Sequence, residues 1–238
     1  MANETIPTGI VGLDKILNGG LRERSSVLIA GPPGTGKTIL ALQFIVEGAR
    51  RGEGGIYITA EETPDDLRQY ADSLGLELKK FEKLGLITLI QQPIEGKKLM
   101  SIATPIALIQ SKKVKRVVLD SITLFEYLHV MGEMDYRKEV LDFVLKMKES
   151  NVTLLATAEK SISNIDEIEY NPEDFLFEGL ILLTKIRKGH TFEHCIQVYK
   201  MRGQNHSVDI FPMKIGKNGV EVFPDQIPFS LEQGGTFK

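Results

Sequence analysis

The run Gly31-Pro32-Pro33-Gly34-Thr35-Gly36-Lys37-Thr38 brings together flexible backbone, one cation and one hydroxyl. Gly31, Gly34 and Gly36 let the chain curl so that backbone N–H groups close around an anion. Lys37 supplies an ammonium that reaches β- and γ-phosphates, and the Thr38 hydroxyl can ligate magnesium. The spacing matches G-x-x-x-x-G-K-[ST] in full and lies between a strand-like and a helix-like segment. It predicts a site for ATP and Mg2+, with residues 31–39, Ile39 included, as the nucleotide-binding run.

Two further groups of acids could serve such a site. Arg116-Val117-Val118-Leu119-Asp120-Ser121 is an apolar strand ending in a carboxylate. Beside a phosphate loop, Asp120 would orient magnesium through water. On its own the same pattern suits a helix cap. Glu61-Glu62-Thr63 follows another strand-like run. A carboxylate at the carboxyl end of a parallel strand faces the ligand crevice, so Glu61 or Glu62 could orient the water that attacks the γ-phosphate. The alternative is a pair of acids leading a helix and favoured by its dipole.

The surrounding elements must hold these groups at one edge of a sheet. Strands are expected over residues 25–31, 54–60, 86–91, 114–121 and 152–158, separated by helices over 37–51, from Thr63-Pro64 towards Gly75, over about 99–112 and over about 135–150. Thr63 followed by Pro64 reads as an N-cap with proline in the first turn. In the helix after the glycine-rich run, Ile39, Leu40, Leu42, Phe44, Ile45 and Val46 can line the sheet. From Leu180 the pattern becomes alternating segments joined at Lys188-Gly189-His190 and Gly216-Lys217-Asn218-Gly219, as in antiparallel hairpins. The layout is α/β: a mostly parallel sheet flanked by helices and finished by C-terminal hairpins.

The chain has 238 residues and a net charge of −3, suited to one domain (1–238) without overall attraction to nucleic acid or anionic membranes. A single cysteine, Cys195, excludes an internal disulfide framework and reads as a small core residue. No apolar run approaches membrane-spanning length and no secretory leader is visible, so a cytoplasmic location is expected.

Five separated motifs together resemble the KaiC family of RecA-superfamily ATPases: Thr8-Gly9-Ile10-Val11-Gly12-Leu13-Asp14 with Asn18-Gly19-Gly20-Leu21, the glycine-rich run, Glu61-Glu62-Thr63-Pro64, the strand ending at Asp120, and Lys200-Met201-Arg202-Gly203-Gln204-Asn205-His206. RadA relatives share the superfamily. The resemblance implies a RecA-type core in a homo-oligomeric ring, usually hexameric, with ATP bound between neighbours. It also implies that Lys200 and Arg202 reach the γ-phosphate held by the adjacent subunit, as arginine fingers do. Glu61 falls at the catalytic glutamate with Glu62 beside it, and Ser73 and His206 fall at nucleotide-contacting positions.

The family's clock protein carries two such domains, one with a Ser-Thr pair that it phosphorylates on itself; the corresponding stretch here is Glu173-Asp174-Phe175-Leu176, without a hydroxyl. ATP hydrolysis without self-phosphorylation at that place is therefore expected, with nucleotide state acting on the ring or on a protein partner. A DNA-binding, recombinase-like alternative needs cations in the loops after the fourth and fifth strands. Residues 161–178 instead carry Asp166, Glu167, Glu169, Glu173, Asp174 and Glu178 with no Lys or Arg, and the segment after Asp120 mixes Glu126, Glu133 and Asp135 with Arg137 and Lys138. A third alternative is a nucleotide-sensing module with negligible turnover.

Overall fold

The computed structural model describes residues 4–92, 103–111, 114–122, 125, 136–161, 172–188, 190–229 and 231. Asp166, Glu167, Glu169, Glu126, Glu133 and Asp135, Gly189 of the first hairpin turn and both ends of the helix expected over 99–112 lie outside them. Among the described residues the principal sheet has nine strands. In chain order these are β3 (Ser26–Gly31), β4 (Gly54–Thr59), β5 (Ile87–Gln91), β6 (Val114–Asp120), β7 (Thr153–Glu159), β8 (Gly179–Lys188), β9 (Thr191–Met201), β10 (Ile210–Gly216) and β11 (Gly219–Val222). Their lateral order is β11-β10-β9-β8-β3-β7-β6-β4-β5. The block from β8 to β5 is parallel, and β8 to β11 form successive antiparallel pairs. The expected α/β architecture with C-terminal hairpins is thus the observed one.

The parallel strands are apolar on both faces because helices cover both. One core contains Val27, Ile29, Tyr57 and Val118 beneath α2 (Lys37–Arg50), α3 (Pro64–Ser73) and α4 (Leu78–Lys83). The other contains Leu28, Ile56, Leu119 and Ala156 beneath α5 (Ala103–Ser111) and α6 (Tyr136–Glu149). Thr63 and Asp66 form a reciprocal capping box at the start of α3, where Pro64 fits because the first helical N–H needs no intrahelical partner. The short helix α4 was not expected from the sequence; its Leu78 and Phe81 are buried in the first core.

The N-terminal motif builds a second, two-stranded sheet, β1 (Thr5–Ile6) with β2 (Leu21–Arg22), around α1 (Val11–Ile16). Asp14 Oδ1 accepts from the Thr8 N–H at 2.7 Å and the Thr8 hydroxyl at 2.6 Å. Gly20 has φ +118°, and a Cβ there would lie 2.1 Å from Ile6 O, so only glycine fits the turn. Gln204 secures this turn: its amide donates to Leu17 O at 2.6 Å and Gly20 O at 2.7 Å, and its Oε1 accepts from the Arg22 N–H at 2.9 Å. Two motifs separated by some 180 positions of chain are therefore one structural unit.

Candidate functional site

β3 ends at Gly31, and the chain turns through the glycine-rich loop into α2. Gly34 and Gly36 have φ +70° and +96°, in the left-handed region that glycine occupies without strain. The Thr35 hydroxyl donates to Pro32 O at 2.8 Å and fixes the crown of the loop. Behind it, a Cβ on Gly36 would meet Ile215 Cδ1 at 2.8 Å.

Pro33, Gly34, Gly36, Lys37, Thr38 and Ile39 line a cavity of about 380 Å³ together with Glu61, Glu62, Ser73 and Asp120. The fold thus brings one part of the expected set, drawn from the loop after β3, the start of α2, the segment after β4, the end of α3 and the end of β6, to one place. Ile39 packs on the first core and also lines the cavity. Ser73 sits on its wall and donates its hydroxyl hydrogen bond to Tyr70 O at 2.7 Å.

Asp120 is buried at the end of β6 and held from both sides. The Tyr57 hydroxyl donates to its Oδ2 at 2.6 Å, and the Thr157 hydroxyl donates to its Oδ1. Burial, followed by the charge of Asp120, raises the Tyr57 phenol well above its ordinary range, so it remains a donor. Each carboxylate oxygen has two lone pairs, which leaves Asp120 capacity toward the cavity after both bonds are made. Thr38 and Asp120 line the same cavity, and this pairing of a hydroxyl with a fixed carboxylate fits a hard divalent cation completed by phosphate oxygens and water.

Glu61 is exposed, and the Ser121 hydroxyl donates to its Oε1 at 3.3 Å. Glu62 is half-buried; burial first, then the charge of Asp120, raises its carboxyl above the usual range. The two neighbours therefore occupy different electrostatic settings.

Lys37 is nearly enclosed. Its ammonium donates to Gly31 O at 2.9 Å and Pro32 O at 3.1 Å and pairs with Glu159 Oε1 at 2.6 Å. Glu159, Tyr57 and Thr157 were not singled out from the sequence. Their signal is positional: Thr157 stands opposite Ile29 and Glu159 opposite Gly31 in the β3–β7 register, at the same carboxyl edge.

Lys200, Arg202 and His206 are not brought to the cavity lined by this chain's glycine-rich loop. Lys200 pairs with Leu180, which lies level with Leu28 near the start of β3. It donates to Asp174 O at 2.8 Å, while Arg202 lies 3.4 Å from Phe175 O as a donor. Burial, followed by the Arg202 charge, lowers the Lys200 ammonium below its ordinary range. His206 Nδ1 lies 2.9 Å from Ser207 O.

The family model described as "ATPase: KaiC" matches residues 6–227. The circadian clock oscillator protein KaiC of Parathermosynechococcus lividus is 31% identical over 210 residues, covering 84% of this chain and 38% of that protein. The chain thus spans well under half the length of the clock relatives it matches. UPF0273 protein MK0039 of Methanopyrus kandleri is 34% identical over 141 residues, covering 52% of this chain and 55% of that protein. Among solved structures, the KaiC-like protein PH0186 of Pyrococcus horikoshii OT3 superposes with a TM-score of 0.81 at 31% identity, over 93% of this chain and 99% of that one. With the glycine-rich loop, the strand-end carboxylate and the sheet order in place, the family match over residues 6–227 is decisive: the chain belongs to the KaiC family of ATPases.

Proposed function

We propose that the chain works as a single Mg2+-dependent ATPase domain, converting ATP to ADP and phosphate at the interfaces of a ring of identical copies, with Lys200 and Arg202 serving the nucleotide of the neighbour. The observation that carries this reading is the placement of the two cations. They are anchored on backbone carbonyls of one turn, where β9 ends beside the start of β8, and they do not line the cavity that Lys37, Thr38, Glu61 and Asp120 share.

In this reading the glycine-rich loop and Lys37 hold the phosphates, and Thr38 and Asp120 hold magnesium. Magnesium held there would supply positive charge that offsets the negative charge developing on the phosphate oxygens. Glu61, exposed and tethered by Ser121, aligns water and takes its proton as the new bond to the γ-phosphorus forms and the bond to the ADP oxygen breaks. Cations fixed at a water-poor interface stabilise the shifting phosphate charge more than solvated ones do. The nucleotide state then regulates the ring or a protein partner. Self-phosphorylation is not part of the proposal, since 173–176 carry no hydroxyl side chain.

Mixing tests the reading. Lys37→Ala and Arg202→Ala are each expected to be nearly inactive alone, whereas mixed rings contain interfaces that pair an intact loop with an intact finger. ATPase activity should return in part on mixing and should rise with protein concentration. Mixed rings that form but stay inactive would place Arg202 in its own chain's site or in a structural role.

A further inference from the structure

We propose that Glu159 and Lys160 form a joint between the phosphate site and the turn whose carbonyls hold Lys200 and Arg202, so that phosphate bound in one chain repositions the cations that chain offers its neighbour. The inference rests on the trans reading of those cations and adds two positioning residues to it.

The Lys37 ammonium has three donors, and three oxygens surround it: Gly31 O, Pro32 O and Glu159 Oε1. A phosphate oxygen can bond to it only by replacing one of them. Gly31 O and Pro32 O belong to the backbone of the strand end and loop. Glu159 is a side chain, 42% exposed against 8% for Lys37, and its negative charge is repelled by a polyphosphate. Glu159 is therefore the partner that yields.

The next residue is tied down on both ends. The Lys160 N–H donates to Gly31 O at 3.2 Å, the same carbonyl that accepts from Lys37. Its side chain forms an ion pair with Asp174, with both side chains only 4% exposed. Asp174 lies in the 3-10 turn Pro172–Phe175, whose carbonyls at Asp174 and Phe175 accept from Lys200 and Arg202. The Lys200 ammonium also lies 5.8 Å from the centre of the Phe175 ring. Displacement of Glu159 thus acts on the end of β7, and a buried ion pair with little room to adjust passes that movement to the turn.

Two variants test the joint. Glu159→Gln keeps the shape and removes the competing charge; ATP affinity, measured with a fluorescent ATP analogue and Mg2+, should rise about threefold, as suits a partly exposed ion pair, while turnover at saturating ATP falls. A purely structural side chain would not raise affinity while lowering turnover. Lys160→Met combined with Asp174→Asn removes both buried charges and leaves neither unpaired; it should bind the analogue within about twofold of native and turn over about tenfold more slowly. Weaker ATP binding in Glu159→Gln, or native turnover in either variant, would overturn the joint. Should the paired variant fail to fold, the split in Glu159→Gln decides alone. The mixing of Lys37→Ala with Arg202→Ala keeps the two readings apart: recovery there with native turnover in the paired variant rejects the joint only, whereas no recovery rejects the trans reading and the joint with it.

Discussion

The Tyr57 hydroxyl reaches across from β4 to Asp120 Oδ2 on β6 at 2.6 Å, so the carboxylate that lines the cavity beside the glycine-rich loop is aimed from behind by a buried phenol. The register makes this possible, since Tyr57 pairs with Val118, two residues before Asp120. Tyr57→Phe keeps the ring in the core and removes the donor. Losing a hydrogen bond to a buried carboxylate should cost about 2 kcal/mol in urea unfolding. The Mg2+ concentration for half-maximal ATPase should rise several-fold, with little change in the ATP affinity measured without metal. Unchanged metal dependence would show that Thr157 alone fixes Asp120.

What was legible in the sequence was local. The glycine-rich loop reads directly because its chemistry is contained in eight consecutive residues, and α3 announces itself through Thr63-Pro64. Tyr57 and Thr157 were invisible as partners of Asp120 because neighbouring strands deliver them from 63 and 37 positions away. Glu159 was missed for a smaller reason: the apolar run 152–158 ends at Ala158, whereas the ladder with β3 continues one residue to the acid. The helix α4 has six residues and no side-chain cap, so it depends on Leu78 and Phe81 packing into the core rather than on a local signal. Lys200 and Arg202 illustrate the opposite limit, since as single residues they suit a solvated strand face and only the run 200–206 taken as a motif marks them out in the sequence.

Glu62 should make stability fall as pH rises through its titration. Its carboxyl is raised above its ordinary value by burial and then by Asp120, so the folded state holds the proton more tightly than the unfolded chain. Below the unfolded value both states are protonated and the penalty vanishes; above the raised value it is fully present. Glu62→Gln removes that penalty. At pH 7 the variant should be more stable by less than about 1 kcal/mol, given solvent screening at a half-buried site. The gain should vanish near pH 4, as read from urea midpoints. A gain independent of pH would point to packing instead.

Arg116 and Gly48 should behave as one unit. Arg116 is fully buried, with its Nε 2.6 Å from Glu53 Oε2, its guanidinium donating to Pro7 O and Phe44 O, and its plane 4.7 Å from the Phe44 ring. A Cβ on Gly48 would lie 2.5 Å from Arg116 Cδ. Gly48→Ala therefore displaces the guanidinium and should cost about 2 kcal/mol or more, despite the better helix propensity of alanine. Arg116→Ala should cost about 3 kcal/mol, since it leaves Glu53 without its partner. In the Arg116→Ala background Gly48→Ala should cost almost nothing, a coupling of at least ~1 kcal/mol in a double-mutant cycle. Additive costs would mean that Gly48 is required by its backbone rather than by the arginine.

Glu61→Gln should separate binding from turnover. The amide has the size of the carboxylate and can still meet the Ser121 hydroxyl, which donates to Glu61 Oε1 at 3.3 Å, so the cavity wall is preserved. What is lost is the negative charge that aligns water and accepts its proton, an effect worth about 10²–10⁴-fold in comparable acid–base steps. ATP affinity by isothermal titration should stay within a few-fold of native while turnover falls by at least a hundredfold. Glu62→Gln supplies the contrast: Glu62 is half-buried next to Asp120 and holds its proton more readily, so its loss should slow turnover far less. If Glu62→Gln is the inactive variant and Glu61→Gln turns over normally, the base is the half-buried residue and its raised carboxyl would appear as an acidic limb in the pH profile of turnover, activity falling as the pH drops and the base is protonated. If both variants remain active, neither carboxylate handles the attacking water, and the acids serve only the entry into α3.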